Sequence, residues 1–439
     1  MIFPKFFNAR VITYMSKVLI IGGGGREHAL AWKLKQSPKV EKIYLAPGNG
    51  GTAALGENVS IASTDLSGLV KFAEENKIDL TVVGQDDPLA LGVVDAFQEK
   101  GLRIWGPTKN AAQIEASKAF AKDLMAKQNI PTAQFSTFTD YDEALKYIRE
   151  KGAPIVIKAS GLALGKGVTV CQTLEQAETA LKESMLDKVF GESGSTVVIE
   201  ECLVGPEFSV HAFCDGKSYK LFPTAQDHKP VFDGGKGPNT GGMGTIAPVP
   251  WVTEEMMEEV SKKVVQPILD GLKNAGAPFL GLIYPGMMET KNGSKVIEFN
   301  CRFGDPETQS YIRLLKTDLY EILDASVDGK LDEVEIEWHP GFACCVALAS
   351  GGYPGPYEKG KEITGIEEAE KQDDIIVFHA GTKLENGKIL TAGGRVLGVT
   401  ATADTLRGAL DKAYAAIKLI KFPGMHYRTD IGQQSLENN

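Results

Sequence analysis

Short apolar runs that end in glycine set the pattern of the first hundred residues. Val18-Leu19-Ile20-Ile21 runs into Gly22-Gly23-Gly24-Gly25, and a helix-like stretch continues to Leu34. Lys42-Ile43-Tyr44-Leu45 closes on Pro47-Gly48-Asn49-Gly50, and a helix pattern over 66–75 leads to Leu80-Thr81-Val82-Val83 and Gly84. Strands alternating with helices, each strand stopped by Gly or Pro, predict a doubly wound parallel sheet. Ligands of such sheets bind at the carboxyl ends of the strands, where these turns lie.

Near residue 118 the pattern changes. A strand over 155–159, a Gly-rich loop over 161–167, a returning strand over 167–170, a helix over 174–186 and a strand over 196–199 predict a small α+β module. Residues 205–300 add strand-like segments, an irregular Gly-rich stretch over 234–244 and a helix over 254–273. From about Gly341 the chain reads as hairpins, with turns at Gly351-Gly352 and Gly393-Gly394, and closes with a helix over 405–420. The expected fold class is therefore multidomain, mixed α/β and α+β, since 439 residues exceed one ordinary core.

Composition narrows the function classes. The chain carries 47 Lys+Arg against 57 Asp+Glu, a formal charge of −10, with no basic patch for nucleic acid. The six cysteines form no C-x-x-C pair and read as reduced thiols of a cytoplasmic protein. No apolar run approaches the ~18 residues that span a membrane. Residues 1–14 are mildly basic and aromatic, and are expected to be disordered or upstream of the native start; a targeting role is the alternative. No multifunctional fusion is expected.

Two glycine loops compete for phosphates. In the first, G-x-G-x-x-G counted from Gly22 meets Glu27 instead of glycine, and no acidic residue closes the second strand. NAD chemistry is thereby disfavoured, while a loop-to-helix junction still suits a phosphorylated substrate. The second loop, Gly161-Leu162-Ala163-Leu164-Gly165-Lys166-Gly167, resembles a Walker A but is one residue short and lacks the Ser/Thr. It reads as a lid between antiparallel strands whose N–H groups and Lys166 fold over a polyphosphate, with Lys158 beneath.

Lys295-Val296-Ile297-Glu298-Phe299-Asn300-Cys301-Arg302 carries the metal chemistry. Strand alternation puts Glu298, Asn300 and Arg302 on one face at steps of about 7 Å, and Ile297, Phe299 and Cys301 on the other. Hard oxygens suit Mg²⁺, which takes few protein ligands and completes its shell with phosphates and water. Arg302 then faces the transferring phosphoryl group. Asp227-His228-Lys229 and the glycine-dense segment 237–244 predict a ligand-contacting loop.

The segments Gly24-Gly25-Arg26-Glu27-His28-Ala29, Pro238-Asn239-Thr240-Gly241-Gly242-Met243-Gly244 and Glu298-Phe299-Asn300-Cys301-Arg302-Phe303-Gly304-Asp305-Pro306-Glu307 resemble those of the phosphoribosylamine–glycine ligase family. These are ATP-grasp enzymes of de novo purine synthesis, and the similarity runs from about Met15 to Gly432. The resemblance implies a Rossmann-like substrate domain over 15–117, an ATP-grasp domain over 118–329 with its lid subdomain at about 135–206, and a C-terminal domain over 330–432. It implies Lys118, Lys158, Gly165 and Lys166 at the ATP phosphates, Glu200, Glu201 and Leu203 at adenine, and Glu207 at ribose. Glu298 and Asn300 would bind Mg²⁺ or Mn²⁺. Asp227, Asn239, Thr240, Gly241 and Arg302 would hold glycine and its acyl phosphate, with Asp227 and Arg302 in the catalytic roles. Gly24, Gly25, Arg26, Asn49, Gly50 and Asp86 would receive 5-phosphoribosylamine.

Five positions depart from the family pattern: Gln85-Asp86 stands for Pro-Glu, Ser160 for Asp, Leu164 for Ala and Pro285 for a small residue. The expected reaction passes through glycyl phosphate and releases ADP and phosphate. The expected partners are these small molecules, without nucleic acid or membrane, for a monomer. A different ATP-grasp ligase or carboxylase is the nearest rival, ahead of a non-catalytic nucleotide sensor.

Overall fold

The strand Ser16–Gly22 is flanked on both sides in a five-stranded, wholly parallel sheet. The order is Glu57–Asn58, Val40–Pro47, Ser16–Gly22, Leu80–Val83, Ile104–Trp105, so the chain reverses direction across the sheet at Ser16–Gly22. Val18, Leu19, Ile20 and Ile21 are fully buried, as a strand covered on both faces requires. The computed structural model describes residues 15–163 and 167–437. The expected leader over 1–14, and Leu164, Gly165 and Lys166 of the lid loop, lie outside the described residues.

The glycines after this strand make room for one carboxylate. Glu27 is the third residue of the helix Gly25–Leu34, and its Oε2 accepts from the Gly24 N–H at 2.6 Å in a capping arrangement. A Cβ on Gly22 would lie 2.6 Å from Glu27 Cγ, and one on Gly84 would lie 2.1 Å from Glu27 Oε1. The residue that spoils the dinucleotide fingerprint is therefore the one that closes the helix start.

The module that follows is a four-stranded antiparallel sheet, ordered Phe135–Phe138, Val197–Glu201, Ile155–Ala159, Val168–Cys171. Helices Tyr141–Lys151 and Leu174–Met185 bury Ile148, Ala177 and Leu181 against Ile155, Ile157 and Ile199. A second antiparallel sheet is organised by the long strand Leu280–Thr290, which pairs with Glu207–Ser209, Ala212–Asp215 and Gly293–Asn300. A third sheet runs Gln226–Asp227, Gly244–Ala247, Phe342–Ala349, Arg395–Ala403, Ile375–His379, with helix Leu406–Ile417 closing its core. Two strands from the middle of the chain thus belong to the sheet built by its C-terminal part. No helix among the described residues is long and apolar enough to cross a membrane.

Three local expectations need correction. The stretch over 234–244 is irregular only in part: Pro230–Phe232 and Lys236–Asn239 form a hairpin turned by Gly234 and Gly235, at φ of 69° and 67°, and 240–243 alone lies outside helix and strand. The helix over 254–273 is interrupted by a wide turn at Ser261–Val265, between Glu254–Val260 and Gln266–Asn274. Pro267 supplies the cause, because it has no N–H to return to the preceding turn. In Gly293–Asn300 the register pairs Gly286 with Glu298 but Met287 with Val296, which makes Ile297 a bulge. Val296, Phe299 and Cys301 enter the core, while Ile297 turns to the cleft beside Glu298.

Candidate active site

A cavity of about 310 Å³ lies between the four-stranded sheet and the strand Gly293–Asn300. At its inner wall Glu200 stands between two lysines. Lys158 Nζ is 3.0 Å from Glu200 Oε2 and Lys122 Nζ is 3.1 Å from Glu200 Oε1, all three side chains being buried. Lys158 also donates to the Ile297 carbonyl at 3.0 Å, so the bulge and the lysine fix each other. Lys122 donates to Thr132 Oγ1 at 2.7 Å, and burial lowers its pKa to about 8. The Glu200 carboxylate is thus buried and engaged by two cations.

Lys118 opens the helix Lys118–Lys127, whose Ser117 cap accepts from the Phe120 N–H. Its ammonium reaches the Gly161 carbonyl at 3.2 Å, and Leu162, Ala163 and Gly167 form the adjoining wall. Glu201 and Leu203 line the rim, where the Glu201 carboxylate meets Lys295 Nζ at 2.9 Å and the Gln134 N–H at 3.0 Å.

Glu298, Asn300 and Arg302 all line the cavity, as strand alternation predicts. Lys229 Nζ lies 3.4 Å from both Glu298 Oε1 and Glu207 Oε2, and it draws the Glu298 pKa down to about 2. Asn300 Oδ1 accepts from Arg302 Nη2 at 3.0 Å. The same guanidinium nitrogen is 3.0 Å from Glu115 Oε1, whose other oxygen accepts from the Cys301 N–H at 2.8 Å. Burial pushes the Glu115 carboxyl up against the opposing pull of Arg302. Burial also pushes Asp86 up, but Arg302 and Arg26 outweigh it and hold that carboxyl below its usual range.

At the other end, Asp227 accepts from the His228 N–H at 2.7 Å. Burial, and then the Glu307 carboxylate, raise its pKa. Tyr284 OH donates to Glu307, and both line the cavity with Asn239, Thr240 and Gly241. Thr240 Oγ1 donates to the Lys229 carbonyl at 2.7 Å, which ties the glycine-dense loop to the lysine that faces Glu298.

Gly24, Gly25, Arg26, Asn49 and Gly50 are not among the residues lining this cavity, and of these Gly24 and Gly25 approach its wall at Asp305. Cβ atoms on Gly24 and Gly25 would lie 3.3 and 3.5 Å from the Asp305 carboxylate, and Arg26 donates to the Phe303 carbonyl at 3.0 Å. The Asn49 amide is spent on backbone, donating to the carbonyls of Gly23 and His379 and accepting from the Gly51 N–H. Gly50 N–H donates to the Thr382 carbonyl at 3.1 Å.

Lys122, Lys229, Glu115 and Glu307 were not singled out from sequence. Lys122 lies four residues beyond Lys118 and Glu115 three before it, a spacing that could have flagged Lys122 on the same helix face. Glu307 and Lys229 sit inside motifs already noted, Asp305-Pro306-Glu307 and Asp227-His228-Lys229.

Family models for phosphoribosylglycinamide synthetase match the chain in three successive segments. The N domain covers 16–115, the ATP-grasp (A) domain 116–308 and the C domain 343–434. The phosphoribosylamine–glycine ligase of Caldanaerobacter subterraneus is 49% identical over 415 residues, covering 94% of this chain and 99% of its own. That of Vibrio vulnificus is 51% identical over 422 residues, covering 95% and 98%. The solved phosphoribosylamine–glycine ligase of Thermotoga maritima superposes with a TM-score of 0.80 at 34% identity, covering 94% of this chain and 100% of that one.

Proposed function

The chain belongs to the phosphoribosylglycinamide synthetase family, and we propose that it carries out that family's ligation, joining glycine to 5-phosphoribosylamine with ATP in de novo purine biosynthesis. The observation that carries the reading is one cleft in which buried Lys158 and half-buried Lys118 share walls with Glu298, Asn300 and Asp227. The proposed domain division is 15–117, 118–329 with a lid at about 135–206, and 330–432.

Lys158, Lys118 and the lid with Gly165 and Lys166 neutralise the ATP phosphates. Glu201 and Leu203 offer backbone groups to adenine, and Glu207 its carboxylate to ribose. In this reading Glu200 orients Lys158 rather than meeting the base with its side chain. Glycine carboxylate attacks the γ-phosphorus; an O–P bond forms, the bond to the bridging oxygen breaks, and ADP leaves. Arg302 stabilises the charge gathering on the phosphoryl oxygens. Asp227, Asn239, Thr240 and Gly241 orient the glycyl group. The amine of 5-phosphoribosylamine, received by Gly24, Gly25, Arg26 and Asp86 in a loop that Asn49 and Gly50 brace through their backbone hydrogen bonds, then attacks the acyl carbon. A C–N bond forms, the C–O bond to phosphate breaks, and the nitrogen loses a proton to give the amide. Lid closure keeps water from the acyl phosphate.

The donors fit a hard divalent cation. Glu298 is ionised at neutral pH, Asn300 adds an uncharged oxygen, and no cluster of three or more His, Cys, Asp or Glu converges among the described residues. Glu298 and Asn300 would hold Mg²⁺ or Mn²⁺, which supplies charge neutralisation to the polyphosphate when bound. The proposed setting is the cytoplasm, with the monomer as the working unit. ADP release measured with glycine and 5-phosphoribosylamine each present or absent tests the function. Sustained release only with both supports it, and release independent of either contradicts it.

A further inference from the structure

The strand Arg395–Ala403 of the C-terminal sheet begins with a side chain that leaves its own domain. Leu348 pairs with Leu397 but Ala349 with Arg395, so Val396 is an extra residue that re-aims Arg395. The backbone around it is pinned, with Gly381 N–H donating to the Arg395 carbonyl at 2.9 Å and Ser350 N–H to the Gly394 carbonyl at 2.8 Å. From this fixed base Arg395 Nη1 donates to the carbonyls of Gly241 at 2.7 Å, Gly242 at 3.3 Å and Asp305 at 2.6 Å. Its Nη2 lies 3.4 Å from Asp305 Oδ2.

A second residue of the same sheet region holds the other side of Gly241. The Gly241 N–H donates to Tyr353 OH at 3.2 Å. The next residue is wedged: Gly242 has φ +113°, and a Cβ there would lie 2.5 Å from both Asp227 Oδ1 and Pro306 Cδ. The Gly241-Gly242 segment is therefore pinched between Arg395 and Tyr353 on one side and Asp227 on the other. Arg395 is not among the residues lining the cavity, so it acts through this loop.

We propose that Arg395 and Tyr353 are positioning residues by which the C-terminal sheet sets the Gly241-Gly242 peptides, and with them Asp227, in register for glycine. The proposal rests on the reading of this loop as the glycine subsite. A guanidinium can serve several carbonyls with one planar fork, whereas a lysine offers a single point of donation. Among the described residues Arg395 and Tyr353 bond to Gly241, Gly242 and Asp305 and not to Lys118, Lys122, Lys158 or Glu200, so the ATP end of the cleft should be indifferent to them.

The test is ADP release by the full chain and its R395M, R395K and Y353F variants, with glycine and ATP titrated separately and thermal melting recorded. Loss of a charge-assisted donor predicts a rise of about tenfold or more in glycine KM for R395M, with ATP KM within about twofold. R395K is expected to recover only part of the loss. Y353F removes a single acceptor, leaves the packing intact and should raise glycine KM about threefold or more. The double variant should fall short of the product of the two single effects, as for neighbours sharing one loop. Equal rises in the two KM values, or a lowered melting temperature with unchanged glycine KM, would overturn the clamp. Should R395M fail to fold, Y353F decides, an unchanged glycine KM counting against the proposal. A wild-type chain without glycine-dependent ADP release would instead remove the functional reading on which the clamp rests.

Discussion

Lys229 Nζ lies 3.4 Å from Glu298 Oε1, and that proximity keeps the carboxylate ionised down to about pH 2. The same ammonium is 3.4 Å from Glu207, and both distances exceed the ~2.7–2.9 Å of a tight charge-assisted bond. Lys229 is thus held loosely between two acids, one proposed for the metal and one for ribose. An incoming polyphosphate with its cation would find Glu298 charged and the lysine able to turn toward phosphate oxygen.

Glu298→Gln keeps the volume and removes the charge. ADP release should fall by about 10²–10³-fold, the scale of losing one preorganised electrostatic partner of the transferring group. Raising Mg²⁺ should not restore it, and the melting temperature should change little because Lys229 retains Glu207. Near-normal turnover at any metal concentration would overturn the assignment.

Glu200 and its two lysines should respond unequally. Glu200→Gln leaves Lys122 and Lys158 buried together without a counter-charge, a change expected to cost about 3–5 kcal/mol. Lys122→Met leaves Glu200 still paired with Lys158 and should be distinctly milder. Urea unfolding of the two variants gives the order; a Lys122→Met loss equal to that of Glu200→Gln would contradict the shared-carboxylate account.

Buried His28, His211 and His379, with half-buried His228, set the acid behaviour, and burial holds His211 well below its usual range. Burial first, and the neighbouring His379 for His28, hold His28 down to about 3; burial holds His379 and His228 down to about 4. His28 Nδ1 accepts from the His379 N–H at 2.7 Å, which needs the neutral ring. A folded pKa below the unfolded value gives stability that is present above about pH 6.5 and lost as pH falls toward the folded values. Each such histidine steepens the fall by up to about 1.4 kcal/mol per pH unit. Unfolding curves at pH 7, 6 and 5 should show this loss before most carboxylates titrate. His28→Asn should flatten it, and a level profile above pH 5 would contradict it.

Strands Leu80–Val83 and Ile155–Ala159 could be read residue by residue, because each is an apolar run bounded by turn residues. Glu298 and Asn300 were placed correctly by alternation, which is a local property of a strand. Ile297 was misplaced because a bulge belongs to the pairing with Leu280–Thr290, not to the strand alone. The burial of Glu200 had no local signal for a similar reason, since it is imposed by lysines on other elements. Arg395 had no signal near it: the Gly241 carbonyl it holds is 154 residues away. Interactions within a turn of helix or two steps of strand were legible, and those created by packing one sheet on another were not.

The most direct test is a crystal structure of the chain with a non-hydrolysable ATP analogue and Mn²⁺, located by its anomalous scattering. The account predicts an anomalous peak bonded to Glu298 and Asn300, with the triphosphate reaching Lys158 and Lys118. A peak and a triphosphate bound away from those four residues would contradict it.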